Sequence, residues 1–187
     1  MTRIIGGDAG GRRIKAPTGQ LTRPTSDRVR EALFSAVDSA LGSLTGLRFL
    51  DLYAGSGAVG LEARSRGAGV VTLVEHDRRT AAVIRENVRS LGFRGVDVVV
   101  APAARALAQP PGAPYDVVFL DPPYAVPDAE VEDDLRALVE HGWLAHRAIV
   151  VVERSGRGAQ PAWPEGLVGD RSRRYGETTL WYGHATG

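Results

Sequence analysis

Four consecutive residues, Asp121-Pro122-Pro123-Tyr124, follow the apolar run Tyr115-Asp116-Val117-Val118-Phe119-Leu120 and carry groups that can do chemistry. Two successive prolines fix φ and drive the backbone off a sheet, so the Asp121 carboxylate and the Pro122 carbonyl can both point into a cleft. Both accept hydrogen bonds. The exocyclic amine of a purine is a poor nucleophile because its lone pair is delocalised into the ring. Two acceptors holding its N–H groups favour a pyramidal nitrogen with the lone pair aimed at an electrophilic methyl carbon. After attack the nitrogen is strongly acidic, and its proton can leave through Asp121 or water without a powerful base. Pro123 belongs to the same base-receiving turn, and Tyr124 can stack on the flat ring, a contact worth ~1–3 kcal/mol.

A second constellation supplies the electrophile. Asp51-Leu52-Tyr53-Ala54-Gly55-Ser56-Gly57-Ala58-Val59-Gly60 follows the apolar run that begins at Leu47 and opens a helix. Glycines at such a turn let the backbone approach a ligand closely, in the crevice at the carboxyl ends of parallel strands. Asp51, Tyr53, Gly55 and Gly57 are the candidate cofactor contacts, and Glu75, ending the next apolar run, can hydrogen-bond ribose hydroxyls. Gly55, Gly57 and Gly60 also satisfy the dinucleotide fingerprint G-x-G-x-x-G, so a nicotinamide cofactor stands as the alternative. Asp51 discriminates: its carboxylate suits the ammonium and sulfonium of S-adenosylmethionine and repels a pyrophosphate.

These segments need a frame. From Leu47 onward short β-rich runs alternate with helical stretches: LRFLDLY, GLEARSRG, VVTLVE, a helix capped by Asp77, VDVVVA, YDVVFLD, a helix around 128–141, and AIVVVE. That alternation predicts parallel strands with crossover helices, hence an α/β doubly wound sheet. The strands are apolar almost throughout, as helices on both faces require. DRSRRYGETTLWYGH predicts two strands joined at Tyr175-Gly176-Glu177, an antiparallel edge. Upstream, Thr25-Ser26-Asp27 offers N-caps to a helix whose stripe is Val29, Leu33, Phe34 and Val37, ending near Leu41. Arg28 and Arg30 fall off that stripe and are expected to be free to face a ligand. RIIGGDAGGRRIKAPTG reads as a β-hairpin around Asp8-Ala9-Gly10-Gly11, too small to fold alone. The chain thus divides into a hairpin extension over 1–22 and one α/β domain over 23–187.

Composition narrows the classes. With 187 residues, 43% of them hydrophobic, one sizeable core is expected, and no run approaches the ~20 apolar residues that span a bilayer. The N-terminus lacks a basic segment followed by an apolar one, so the chain reads as soluble and cytoplasmic. Cysteine is absent, and the spacing of His76, His141, His146 and His184 makes no metal site, so no metal is expected. The net charge of +1 conceals +4 over residues 1–35, −5 over 36–153 and +2 over 154–187. Lys15 is the one lysine; the other 22 basic residues are arginines, whose planar forks suit phosphate and base stacking. Arg3, Arg12, Arg13 and Lys15 in the hairpin, with Arg23 and Arg28 near the cleft, are the candidate phosphate contacts.

D-P-P-Y, the N-terminal TRPTSDRVREALF and the block FLDLYAGSGAVGLEARSRGA resemble, in that combination, the bacterial 16S ribosomal RNA guanine-N2 methyltransferases of the RsmD family. The resemblance runs from Arg3 to about Tyr182. It implies a Rossmann-like class I methyltransferase fold with a seven-stranded sheet, and methylation of one guanine in 16S rRNA of the small subunit or an assembly intermediate. By the same resemblance Asp51, Gly55 and Gly57 line the cofactor, Glu75 holds its ribose, and Asp121 to Tyr124 receive the base. One departure stands out: where such enzymes commonly place Asp or Asn near the cofactor's adenine, this chain reads Ala101-Pro102-Ala103-Ala104, leaving that recognition to backbone atoms. The residues themselves do not separate RNA from DNA, since D-P-P-Y serves adenine-N6 and guanine-N2 alike. A DNA adenine-N6 methyltransferase is disfavoured because no second domain of sequence-reading size is present. An NAD-dependent oxidoreductase would leave D-P-P-Y without a role, and a catalytically silent RNA-binding assembly factor is the remaining alternative.

Overall fold

The computed structural model describes residues 2–18 and 26–187. A short antiparallel hairpin pairs β1 (Thr2–Arg3) with β2 (Arg13–Ile14). The chain then forms α1 (Asp27–Leu41), β3 (Arg48–Asp51), α2 (Ala58–Ser65), β4 (Val70–Glu75), α3 (Arg78–Leu91) and β5 (Val96–Val100). It continues as α4 (Ala103–Leu107), β6 (Tyr115–Leu120), α5 (Asp128–Glu140), β7 (Leu144–Ser155), β8 (Leu167–Tyr175) and β9 (Thr178–Ala185). The described residues place seven strands in one sheet, ordered β5-β4-β3-β6-β7-β9-β8, parallel from β5 to β7 and antiparallel beyond.

Local chemistry sets the boundaries. Ser26 caps α1, its side chain accepting from the Val29 amide, and Asp77 caps α3 by accepting from Thr80 N, each satisfying an otherwise orphaned helical donor. The third glycine of the fingerprint has a packing role: a Cβ on Gly60 would lie 2.0 Å from Leu73 Cδ2 of β4, so only glycine lets α2 seat this closely on the sheet.

Apolar side chains fill both faces of the sheet. One core joins Leu33 and Phe34 of α1, Leu61 of α2 and Ile84 of α3 to Phe49, Val117 and Phe119. The other packs α4 and α5, through Leu107, Leu135 and Leu138, on Leu50, Val118 and Val150. The edge strand β5 is less covered, with Asp97 and Val99 exposed where a fully buried strand was expected.

The hairpin forms an outer layer that shares the first of these cores, because Ile4, Ala9 and Ile14 are buried in it. Polar contacts lock it down. Glu62 of α2 accepts from the amides of Ile5 (2.8 Å) and Gly6 (2.9 Å), and Ser65 bonds Ala9 N and Gly6 O. Arg30 corrects one expectation. It is fully buried rather than facing a ligand: its guanidinium donates to Arg3 O at 2.6 Å and lies 3.3 Å from the Glu62 carboxylate. Burial lowers its pKa and Glu62 opposes that, the balance that lets a cation sit in the interior.

Candidate active site

The sheet order defines a crevice. From β3 the chain moves outward to β4 and β5, then returns to place β6 on the other side of β3, so β3 and β6 flank a topological switch point, where open α/β sheets bind ligands beyond their carboxyl ends. Asp51 ends β3 and pairs in register with Phe119 of β6 and Leu73 of β4. Asp121 begins one residue past β6, and Glu75 ends β4. The two constellations therefore emerge side by side on adjacent strands, about 4.8 Å apart at the backbone.

Asp51 is buried at 1% exposure. Its Oδ2 accepts from Gly60 N at 3.2 Å, which ties it to the first turn of α2, while Oδ1 is buried without a hydrogen bond of good geometry. Burial pushes its carboxyl up to about 7; the amides of Gly60 and Tyr53 pull the other way, and the charges of Glu75 and Glu153 add to the rise. An orphaned carboxylate oxygen of this kind invites a cationic ligand group.

Glu75 is 6% exposed and braces the glycine loop, accepting from Gly55 N at 3.0 Å and Asp77 N at 2.9 Å. Gly55 has φ 57° and a Cβ there would meet open space, so its conformation is what demands glycine; Gly57, at φ 84°, leads into α2. Tyr53 points toward the other face, where its hydroxyl donates to the buried Asp134 carboxylate of α5. Burial raises the Asp134 carboxyl to about 6, with the Tyr53 hydrogen bond opposing. Ala101, Pro102 and Ala103 lie beside Glu75, the Ala101 amide donating to Glu75 O at 3.1 Å.

In the D-P-P-Y turn Asp121 is half-buried, Pro122 buried and Pro123 half-buried, while Tyr124 is 58% exposed and presents its ring outward. Glu153 of β7, also buried, stands one residue beyond the Leu120–Val152 pair, level with Asp121. Asp51, Glu75 and Glu153 make this an acidic crevice, which attracts a cation and repels a pyrophosphate.

The family model described as Conserved hypothetical protein 95 matches residues 2–184. Ribosomal RNA small subunit methyltransferase D of Escherichia coli (strain K12) is 39% identical over 162 residues, covering 87% of this chain and 79% of that protein. The chain belongs to the RsmD family. YlbH of Bacillus subtilis (strain 168) is 34% identical over 183 residues, 94% of this chain and 95% of that one. Among solved structures, yhhF of Escherichia coli superposes with a TM-score of 0.87 at 36% identity, covering 98% and 97% of the two chains. TrmN of Thermus thermophilus, 19% identical with a TM-score of 0.64 over 89% of this chain and 55% of its own, shares the fold. The Rossmann-like class I architecture of this RsmD-family chain and its standing as a methyltransferase rest on these likenesses together with the mixed seven-stranded sheet.

The cations read from the sequence are not gathered in one place. Arg3, Arg12, Arg13 and Lys15 are all exposed on the hairpin. Arg12 donates to Ser90 O at 2.5 Å, Lys15 pairs with Glu86 at 3.3 Å, and Arg3 lies 3.7 Å from Asp27. Arg13 lines two open surface hollows of ≈ 430 and ≈ 560 Å³. Arg28 sits elsewhere, its guanidinium 5.7 Å from the centre of the Tyr175 ring at the turn between β8 and β9. Arg23 lies outside the described residues.

Two residues that sequence reasoning missed hold the site together. Arg154, at the end of β7 and 9% exposed, reaches under the D-P-P-Y turn: its guanidinium donates to Val126 O at 2.8 Å, approaches Pro123 O at 3.5 Å and pairs with Asp128 at 3.0 Å. Nothing in its neighbourhood of sequence signals this. Asn87 of α3 is buried, its side chain bridging Lys15 (Oδ1 from N, 2.8 Å; Nδ2 to O, 2.9 Å) and Ser56 O of the glycine loop (3.3 Å). Here a signal existed, since Asn87 interrupts the helical stripe of Ile84 and Leu91 with a polar group.

Proposed function

We propose that this protein transfers the methyl group of S-adenosylmethionine to the exocyclic N2 amine of a guanine in 16S ribosomal RNA. The observation that carries the reading is the juxtaposition, across the β3/β6 switch point, of a buried carboxylate with an orphaned oxygen and a D-P-P-Y turn. Relatives named for small-subunit ribosomal RNA methylation support the substrate. The cofactor would bring an electrophilic methyl on a sulfonium.

The chain's residues fit that cofactor. Asp51 Oδ1 would receive the cofactor's ammonium, the Gly55–Gly57 backbone would allow its close approach, and Glu75 at the end of β4 would take the ribose hydroxyls. Tyr53 sets the loop's path by anchoring it to α5. In the base site the Asp121 carboxylate and the Pro122 carbonyl accept the two amine hydrogens and fix the nitrogen's lone pair toward the methyl, and Asp121 or water takes the released proton. Pro123 and Tyr124 pack on the ring. The guanine must be unpaired or flipped out to reach the turn. The hairpin extension over 1–22 supplies phosphate contacts through Arg3, Arg12, Arg13 and Lys15, joined by Arg23 and Arg28, and the domain over 23–187 does the chemistry on the small subunit or its assembly intermediate in the cytoplasm. Among the described residues no helix is long and apolar enough to cross a membrane.

Methyl transfer from tritiated cofactor decides the proposal. Label should pass to small-subunit RNA or particles from cells lacking the protein, not to duplex DNA, and nucleoside analysis should find N2-methylguanosine. Label on adenine or on DNA overturns the assignment. Asp121→Ala should abolish transfer while S-adenosylhomocysteine affinity stays within a few-fold; a large loss of that affinity contradicts the role given to Asp121.

A further inference from the structure

The basic C-terminal stretch has no part in the site as described so far, yet strand direction carries it there. β7 is parallel to β6, so its end at Ser155 lies on the same rim as Asp121. β9 runs antiparallel to β7 with Thr178 opposite Ser155, and β8 is antiparallel to β9 with Tyr175 opposite Thr178. The Tyr175-Gly176-Glu177 turn and the last residues of β8 therefore return to the catalytic rim. From β6 to β8 there are three strand spacings of about 4.8 Å, which puts the end of β8 roughly 14 Å from the D-P-P-Y turn.

Charge is concentrated at that end. Residues 155–158 and 172–178 hold Arg157, Arg173 and Arg174 against a single acid, Glu177. All three arginines are exposed, and none has a carboxylate ion pair among the described residues. Arg174 is aimed by its own turn, Nε donating to Gly176 O at 3.0 Å. Arg28 of α1 adds a fourth guanidinium, laid over the Tyr175 ring. Tyr175 itself packs partly on the core, so this aromatic serves as a fixed support rather than a mobile one.

We propose that Arg157, Arg173 and Arg174, with Arg28 braced on Tyr175, form a second phosphate-contacting rim that holds the RNA strand beside the flipped base, apart from the N-terminal hairpin. A backbone leaving the site toward β8 passes these forks. This inference rests on the RNA reading of the site.

The test compares the double variant R173A/R174A with R94A, which removes an exposed arginine in the loop preceding β5, at the far end of the sheet. Binding to small-subunit RNA is measured across a salt series, with S-adenosylhomocysteine calorimetry and urea midpoints as checks on the cofactor site and the fold. Two lost contacts should flatten the slope of log K against log salt by about 1.4, at ~0.7 per single-strand phosphate. RNA affinity should fall several-fold, with cofactor affinity and urea midpoint unchanged. R94A should leave the slope within error. An unchanged slope in R173A/R174A, or an equal change in R94A, overturns the rim while leaving the function standing. If the wild type binds S-adenosylhomocysteine but neither binds nor methylates the RNA, the functional reading fails and the rim fails with it.

Discussion

Replacing Asp51 with Asn tests the electrostatics of the cofactor site without the cofactor. Burial pushes the folded carboxyl up to about 7 from its ordinary 3.8, because the fully buried site penalises the charge. A raised carboxyl pKa means the native state holds its proton longer than the unfolded chain. Stability is then lost as pH rises from the unfolded value toward the folded one, through the window from about 4 to 7. With ~1.36 kcal/mol per pK unit, titration of this one group costs about 2 kcal/mol at pH 5 and about 4 kcal/mol at pH 8. Asn cannot ionise and keeps an acceptor for Gly60 N. Urea denaturation of both proteins at the two pH values removes the contribution of every other titrating group by difference. The stability of Asp51→Asn relative to wild type should rise by about 2–3 kcal/mol from pH 5 to pH 8. A difference that stays flat, or falls, would refute the view of Asp51 as a desolvated and uncompensated acid. The same substitution should weaken S-adenosylhomocysteine binding at pH 8, since the ammonium loses its counter-charge; wild-type affinity should itself decline below about pH 7, as the ligand must displace a proton from Asp51.

Arg154→Ala strips the support from the Pro123 and Val126 carbonyls and from Asp128, so transfer should fall on the order of tenfold to a hundredfold with cofactor affinity held, in single-turnover assays. Equal loss in both quantities would mean Arg154 supports the whole rim rather than the turn. Glu75→Ala should raise the Kd for S-adenosylhomocysteine by at least tenfold through lost ribose contact and a loosened Gly55 amide, as calorimetry will show; unchanged binding would remove Glu75 from the site. For the hairpin, deletion is a poor probe: it would uncover Ile4 and Ile14 and orphan Glu62, Ser65 and Asn87, so a loss of RNA binding would report unfolding. Arg13→Ala leaves those contacts intact and should lower the salt dependence of RNA binding by about 0.7.

The sequence by itself determined the doubly wound class, an N-cap among Thr25, Ser26 and Asp27, the cap at Asp77, the antiparallel edge with its turn at Gly176, and the two constellations at strand ends. These are local signals: hydrophobic period, capping chemistry and glycine or proline punctuation act within a few residues, and they survive without knowledge of what packs on what. Only the tertiary structure decided that Asp51 and Asp121 emerge on adjacent strands, because a strand's neighbour is fixed by crossover connections far apart in sequence. The same holds for Arg30 and Arg28. Both fall off one helical stripe, yet the hairpin folds back over Arg30 and buries it against Glu62, while Arg28 is left to lie on Tyr175. A helix period shows which way a side chain points from its own axis; whether water or another segment waits there is settled by long-range packing, and the fate of each charge follows from it.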